Sequence, residues 1–550
     1  MSKNISSLSF RKGLDKNLFE RLVEAGDGHL SELSEEYLIG DATTLGTVSF
    51  YDFLKEENKG KKALICNGTA CMTAGTQTNL KDQIGKYLKE EEIGEICCLG
   101  RCHENGSFQY AGVNYSGKED GELATILSEG EGATSDEYLT ASNMESPILL
   151  DDFPGVEEYY GLLKEILKRN PSDLIDELKA SKLRGRGGAG FPTGIKWESC
   201  RKAKGSPKYI VCNADEGDPG AYIDRYLMEE RPHSVLFGMM VAGYLVGSGI
   251  GVLYIRAEYP ESIKTIEETI EELQEQGFIG ENILGSGFSF HFKTIKGAGA
   301  YICGEETALL ASIEGRRPEV GVRPPFPTEA GLFGRPTIVN NVETFSCVHY
   351  LFEIGGKAFA EIGTSDSTGP KLLSLDGKFN RPGLYEVEMG SPLSEVIFDM
   401  GGGFKAPVKA VQVGGPLGGI VPMEKIIDLT VDFESFREEG FLLGHGSIVS
   451  IPEDFSMLQY IEHLFEFTAA ESCGKCFPCR LGSVRGQELV ERARTSDYKI
   501  DLELLTDLLE TMESTSLCAL GGGVPLPIKN AIHYFRDELK PNLLNPGGEL

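Results

Sequence analysis

The sequence predicts a multidomain α/β protein that ends in a helical domain. Three observations carry this expectation. At 550 residues the chain exceeds what a single hydrophobic core organises. Strand-like and helix-like apolar patterns alternate along most of its length. Roughly the last hundred residues carry helical patterns at 457–467, 485–493, 501–512 and 528–537. The 41% hydrophobic and 25% charged content is that of an ordinary globular protein.

Taken in order, residues 1–58 read as a polar helical extension, with helices near 15–24 and 31–37. Residues 59–116 read as strand (63–66), helix (77–90), strand (94–98) and a hairpin (108–115), a small α/β domain. Residues 117–150 are rich in Gly, Ser, Glu and Asp and read as a linker. A large α/β domain is expected over 151–365, a β-grasp-like domain of short strands and glycines over 366–432, and helices over 433–550. The apolar stretch around Val235 and Val246 is interrupted by glycine and too short to span a bilayer. The first thirteen residues have basic groups but no apolar core of a secretory signal. The expectation is a cytoplasmic protein with no direct membrane insertion. A formal charge of −31 argues against nucleic acid, whose binders need basic faces. An anionic ligand must then be held by backbone amides and a few Lys or Arg.

The thirteen cysteines fall mostly in two groups. In a reducing compartment such clustering indicates metal or redox work more than disulfides. Cys473, Cys476 and Cys479 are separated by two intervening residues each on one turn, with Cys518 far downstream. Three thiolates from a turn and a fourth from a distant helix end suit a cubane [4Fe–4S] cluster, with zinc as the alternative. Cys66 and Cys71, then Cys98 and Cys102, each sit where a strand runs into a loop. That arrangement fits a [2Fe–2S] cluster, again with zinc or a redox pair as alternatives. Cys97 competes with Cys98 as a ligand. Strand alternation would turn the two to opposite faces, and Cys98 completes the loop closed by Cys102.

Two glycine loops point to a flat or phosphorylated ligand. The first, LRGRGGAGFPTGIKW, holds Gly185, Gly187 and Gly190 in a literal GxGxxG. A helix, not a strand, leads into it, so the simple Rossmann reading fails. What remains is backbone able to approach a ligand, with Arg186 and Lys196 supplying charge. The block from Tyr209 to Arg225 reads as a buried strand that ends in a polar loop with Asn213, Asp215, Glu216 and Asp218. The second loop, KGAGAYICGEETALL, follows a strand and opens a helix whose first turn holds Glu305 and Glu306, where the helix dipole favours carboxylates. Farther on come Phe326 in RPPFP and the paired amides Asn340 and Asn341.

These strings (GRGGAGFPTGxKW, NADExxPG, GAGAYICGEETAL, NNVET and SCGKCxPCR) occur in the order found in one family. Residues from about 151 to 540 resemble the NADH-binding flavoprotein subunit of respiratory complex I (the 51 kDa type). Its module recurs in NAD-dependent hydrogenases and formate dehydrogenases. Residues 61–116 resemble the thioredoxin-like [2Fe–2S] ferredoxin fused to that module in the soluble complexes. The resemblance implies an NADH dehydrogenase or diaphorase-type enzyme with FMN, NAD(H), one [4Fe–4S] and one [2Fe–2S] cluster. Hydride would pass directly between C4 of NADH and N5 of FMN, in either direction, with no catalytic side chain. FMN would be held by Gly185, Arg186, Gly187, Lys196, Asn213, Asp215, Glu216, Tyr301, Gly304, Glu305, Asn340, Asn341 and Thr344. NADH would lie against Gly188, Phe191, Asp218, Glu306, Arg323 and Phe326. Implied partners are a small [2Fe–2S] subunit of the complex I 24 kDa type and a larger iron–sulfur or catalytic subunit of a hydrogenase or formate dehydrogenase, with electron-bifurcating complexes among the hosts. The complex I subunit proper and a structural zinc scaffold are the alternatives. Two departures stand out: Ser199 replaces a stacking aromatic, and Asp218 stands where many complex I sequences have Glu, which bears on NADH versus NADPH.

Overall fold

The computed structural model describes residues 13–25, 29–130 and 137–544. The expectations for the first twelve residues, for 26–28, for part of the linker and for the last six residues therefore lie outside the described residues. Three short helices, Leu18–Ala25, Leu30–Tyr37 and Asp41–Val48, close on Leu18, Leu22, Leu33, Tyr37 and Val48, the three- and four-residue spacing of amphipathic helices.

Strands β1 (Ala63–Cys66), β2 (Ile93–Ile96), β3 (Phe108–Tyr110) and β4 (Val113–Tyr115) form a sheet in the order β2-β1-β3-β4. β1 and β2 are parallel, and the β3–β4 hairpin joins antiparallel. The strand expected over 94–98 stops at Ile96. Cys98 has φ +53° and belongs to a turn, so a turn, not strand alternation, separates Cys97 from Cys98.

The expected linker at 117–150 is structured in part. Residues Asp120–Glu129 are helical, and β5 (Leu139–Ser142) joins a sheet far away in sequence. β5 pairs parallel with β11 (Gly383–Glu388), and the amides of Ile148, Leu149 and Leu150 donate to the Glu386 carboxylate. Polar residues suit this position because an edge strand is paired on one side only.

The large α/β domain is built on β6 (Tyr209–Ala214), β7 (Ile250–Ile255), β8 (His291–Lys296) and β9 (Thr337–Asn341), all parallel, in the order β8-β7-β6-β9. β6 is buried along nearly its whole length, which is why it reads as a continuous apolar run. Helix Pro232–Val246 is apolar all round because it lies inside this core. Its Gly238 touches the backbone of Phe345: a Cβ there would stand 2.2 Å from the Phe345 carbonyl oxygen.

A six-stranded sheet follows, with β10 (Pro370–Leu375), β11, β12 (Val408–Val413), β13 (Ile420–Pro422) and β14 (Ser447–Pro452) in the order β13-β12-β14-β10-β11-β5. The boundary expected at 432 cuts this sheet, because β14 returns to lie between β12 and β10. Beyond it, helices Met457–Glu471, Phe477–Thr495, Leu502–Thr515 and Pro525–Tyr534 pack around Leu464, Phe465, Leu509, Met512 and Ile528. Among the described residues no helix is long and apolar enough to cross a membrane.

Two buried charge clusters tie the six-stranded sheet to the large domain. Lys371 on β10 and Glu343 are fully buried with Nζ–Oε2 2.5 Å, and the Leu372 amide donates to the other Glu343 oxygen at 2.9 Å. On the loop before β14, His445 lies 3.3 Å from Asp224 and 3.6 Å from Glu216. Burial pushes the imidazole toward the neutral form, as does nearby Lys371. Asp224 and Glu216 outweigh both and hold its pKa up at about 9. Lys371→Met strands a buried carboxylate and is expected to cost about 3–5 kcal/mol in urea unfolding; a loss below about 1 kcal/mol would mean that the pair contributes little. His445 binds its proton more tightly folded than unfolded, where its pKa is near 6.5. Its stabilisation is therefore full below about pH 6.5 and lost as pH rises through about 9. The stability gap between wild type and His445→Gln should close across that window, and a gap that widens there would contradict the assignment.

Candidate cofactor site

The first glycine loop is a closed turn between helix Pro171–Ala180 and helix Thr193–Lys202. The Gly185 amide donates to the Phe191 carbonyl and the Thr193 amide to that of Leu183, both at 2.9 Å. Gly188 and Gly190 have φ +103° and +59°, positions that L side chains rarely adopt. A Cβ at Gly187 would stand 3.0 Å from Asn341 Cβ, a tight fit, and one at Gly188 would touch Gly444 at 3.5 Å. Arg186 is fully buried and points away from the loop: its amide donates to Thr344 Oγ1, and Nη2 donates to the Thr368 carbonyl.

The helix after this loop carries Lys196 and Trp197. Trp197 donates to Asn340 Oδ1 at 3.0 Å, and Asn341 caps helix Val342–Ser346 while donating to Asp224 at 2.7 Å. Lys196 is partly buried, and that burial lowers its pKa. Its ammonium donates to the Val339 carbonyl at 2.9 Å and lies 6.0 Å from the centre of the Phe191 ring.

From β6 the chain enters the polar loop. Asn213 donates to the Gly304 carbonyl at 2.8 Å, which joins this loop to the second glycine loop. Asp215 is partly buried, its enclosed Oδ2 has no hydrogen-bond partner, and burial pushes its carboxyl well up. Glu216 is spent on structure, accepting from the amides of Ile223, Asp224 and Arg225 at 2.7–3.1 Å. Asp218 accepts from the Tyr301 hydroxyl at 2.6 Å, and Gly415 lies against its carboxylate. Gly304 stands over the Asp215 carbonyl. Glu305 is the N-cap of helix Glu306–Ile313, accepting from the amides of Thr307 and Ala308. Arg323 pairs with Glu306 at 2.6 Å. Phe191 and Phe326 are large aromatic rings left about half exposed. Ser199 donates to Thr328 at 3.2 Å, which fastens the segment capped by Phe326 to helix Thr193–Lys202.

A flat anionic cofactor fits these residues. Asp215 Oδ2 is an orphan acceptor, the Lys196 ammonium retains donors beyond its bond to Val339, and Gly187, Gly188 and Gly304 keep the backbone bare. The sequence did not single out Asp224, His445, Gly415 or Glu471, which back the site. Glu471 accepts from the Tyr301 amide at 2.9 Å. Only adjacent glycines marked two of these places, and packing between distant loops leaves no sequence motif.

The C-terminal cysteines converge. Cys476 caps helix Phe477–Thr495, Cys479 lies in its first turn, and Cys518 caps helix Ala519–Gly523. The Leu517 amide donates to Cys476 Sγ at 3.3 Å. A Cβ at Gly521 would stand 2.9 Å from Cys479 Sγ, so only glycine fits beside the thiols. Burial raises the Cys518 thiol to about 12, against hydrogen bonds from the amides of Leu520 and Gly521 and with repulsion from Cys473 and Cys479.

Cys66, Cys71, Cys98 and Cys102 are all buried, whereas Cys476 and Cys518 of the C-terminal group are only partly so. Cys98 and Cys102 sulfurs are 3.6 Å apart, and Cys66 is hydrogen-bonded to Cys71 and feels Cys98. The Gly220 amide donates to Cys102 Sγ at 3.2 Å, so the loop that carries Asp215 and Asp218 also touches this group. The Cys97 carbonyl accepts from Arg256 at 3.2 Å.

Residues 178–350 match the Nuo51 FMN-binding domain, and 459–542 match the NADH-ubiquinone oxidoreductase-F iron–sulfur binding region. The chain is 45% identical to the NADP-reducing hydrogenase subunit HndC of Solidesulfovibrio fructosivorans, over 72% of this chain and 81% of that one. It is 33% identical to the NAD-reducing hydrogenase HoxS subunit alpha of Cupriavidus necator, over 92% of this chain and 87% of that protein. Among solved structures, an NAD+-reducing [NiFe]-hydrogenase in the H2-reduced state aligns with a TM-score of 0.86 at 28% identity, covering 96% of this chain and 92% of that one. The chain belongs to the family of NADH-quinone oxidoreductase F subunits and their counterparts in NAD(P)-reducing hydrogenases.

Proposed function

We propose that this chain is the NADH-binding flavoprotein subunit of a multi-subunit oxidoreductase of the NAD-reducing hydrogenase or complex I type. One observation carries the reading: a single polar loop, 213–220, joins the second glycine loop to the front cysteine group, and the strand it leaves, β6, pairs with β9, whose Asn341 lies against the first glycine loop. FMN, when bound, supplies the conversion between the two-electron chemistry of NADH and one-electron transfer.

The protein's part is binding and orientation. The bare backbone at Gly185, Gly187 and Gly304 admits the ring and its chain. Lys196 holds negative charge, and Asp215 offers its unpartnered oxygen. Asn213, Tyr301 and Thr344 fix the loops that frame the cofactor. Glu216, Glu305, Asn340 and Asn341 contribute mainly by shaping backbone, because their side chains are engaged within the protein, while Arg186 keeps Nε and Nη1 buried without a partner. Phe191 and Phe326 offer exposed rings for the nicotinamide cofactor to stack on, beside Gly188. Glu306, Arg323 and Asp218 take its polar groups, and the carboxylates at 218 and 306 disfavour a 2′-phosphate.

Cys473, Cys476, Cys479 and Cys518 would hold a [4Fe–4S] cluster, and Cys66, Cys71, Cys98 and Cys102, in a thioredoxin-like domain, a [2Fe–2S] cluster. Phe477, Leu481 and Leu517 are exposed around the first group, an apolar margin suited to a larger iron–sulfur or catalytic partner subunit. A small subunit of the 24 kDa type is a further partner.

Protein reconstituted with FMN should be brown, carry about one flavin per chain, lose its flavin absorbance on adding NADH and reduce ferricyanide. A colourless zinc protein, or flavin that NADH leaves unbleached, would overturn the reading. Cys518→Ala removes the remote ligand of the C-terminal set. Iron should fall by about four atoms per chain and the front cluster's signal should persist, with flavin bleaching retained. Full iron content in that variant would show that the ligand set is misassigned.

A further inference from the structure

Residues 14–25 and 29–55 carry no motif, yet they are fastened to the second glycine loop and the helix that follows it. Asn17 donates to the Ile313 carbonyl at 2.7 Å, and Tyr51 and Ser312 share a hydrogen bond of the same length. Arg317 donates to the Gly46 carbonyl at 3.0 Å. Ser312 and Ile313 belong to the helix that begins at Glu306.

The contact tightens on the loop itself. The Asp52 amide donates to the Gly299 carbonyl at 2.8 Å and the Phe53 amide to the Ala298 carbonyl at 3.1 Å. Gly299 has φ +82°, and a Cβ there would stand 3.0 Å from the Phe53 ring and 3.1 Å from Asp52 Cβ. The other side of Phe53 packs on the core formed by Leu64, Cys66, Cys71, Ile96 and Leu99. Asp52 is itself held by Lys55 at 2.6 Å and through its carbonyl by Asn58 at 2.8 Å. Two successive carbonyls of a glycine-rich loop thus take their backbone donors from the N-terminal segment. Glycine-rich backbone loses more freedom on ordering than any other, so these two bonds bear directly on how often the loop stands in its binding shape.

We propose that Tyr51, Asp52 and Phe53 are positioning residues for the flavin and nicotinamide site: they brace residues 297–301 from behind and so hold Tyr301, Gly304 and Glu306 in place. This rests on the function proposed above for that loop. The rival is a tether that keeps only the N-terminal helices and the front sheet attached.

The test compares Phe53→Pro, which deletes the donor to Ala298, with Phe53→Leu, which keeps it. The first readout is hydrogen exchange in flavin-free full-length protein, which does not depend on any activity. Amides of 297–304 should exchange roughly three- to tenfold faster in Phe53→Pro than in wild type, with Phe53→Leu close to wild type and β10–β14 unchanged. The second readout is cofactor affinity. The dissociation constant for FMN and the KM for NADH should rise by a similar factor, with kcat per bound flavin within about twofold. Faster exchange confined to 14–58, with both affinities unchanged, would overturn the proposal in favour of the tether. If Phe53→Pro does not fold, Phe53→Ala, which removes the ring from Gly299, decides by the same readouts. Wild-type protein that binds no flavin would sink the functional reading, while the exchange result would still report on the brace.

Discussion

Gly220 is where the three sheets of this protein meet. Its amide reaches Cys102 of the front sheet, and its carbonyl accepts from Ser374 on β10 at 2.9 Å. With φ +103°, and a Cβ that would stand 2.4 Å from Val449 of β14, the position admits only glycine. The chain arrives there from β6 through Asn213, Asp215, Glu216 and Asp218. Any shift of this loop is felt by the front cysteines, by the second glycine loop through Asn213 and Tyr301, and by the six-stranded sheet. The cofactor site is therefore held by packing between domains more than by any one of them.

Electrostatics impose a second constraint. The chain carries a net charge of −31, yet its candidate site must hold an anionic cofactor beside buried carboxylates. The fold meets this by spending carboxylates on backbone amides and on a few buried cations. Glu216 caps one helix and Glu305 another, Glu386 gathers three amides of the segment beyond β5, and Glu343 pairs with Lys371. In the candidate site Asp215 keeps an enclosed, unpaired oxygen and is held toward its neutral form. Buried polar atoms without partners are uncommon in folded proteins, and they mark places where a ligand completes the structure.

Much of the site was legible because its chemistry is local. The spacing of Cys473, Cys476 and Cys479 fits one turn, and glycines at 185, 187 and 188 announce bare backbone. What the sequence hid was long-range. β5 is polar because it is an edge strand, so its composition reads as linker. β14 completes a sheet that began far upstream, and pairing partners across such a distance leave no periodicity to read. His445 looks like any surface histidine until two carboxylates from another domain close on it. The helices of the N-terminal segment were expected, but their contact with Ala298 and Gly299 runs through backbone atoms, which no side-chain pattern encodes.

The central claim is that one chain holds a flavin and two separate iron–sulfur sites, the front one in contact with the loop 213–220. Native mass spectrometry of the reconstituted, folded chain tests it most directly. The account predicts a mass increment equal to FMN plus one four-iron and one two-iron cluster, with the two-iron increment lost alone when Cys66 and Cys71 are both replaced by Ser. A wild-type chain that carries zinc in either cysteine group, or a double variant that loses both clusters together, would contradict it.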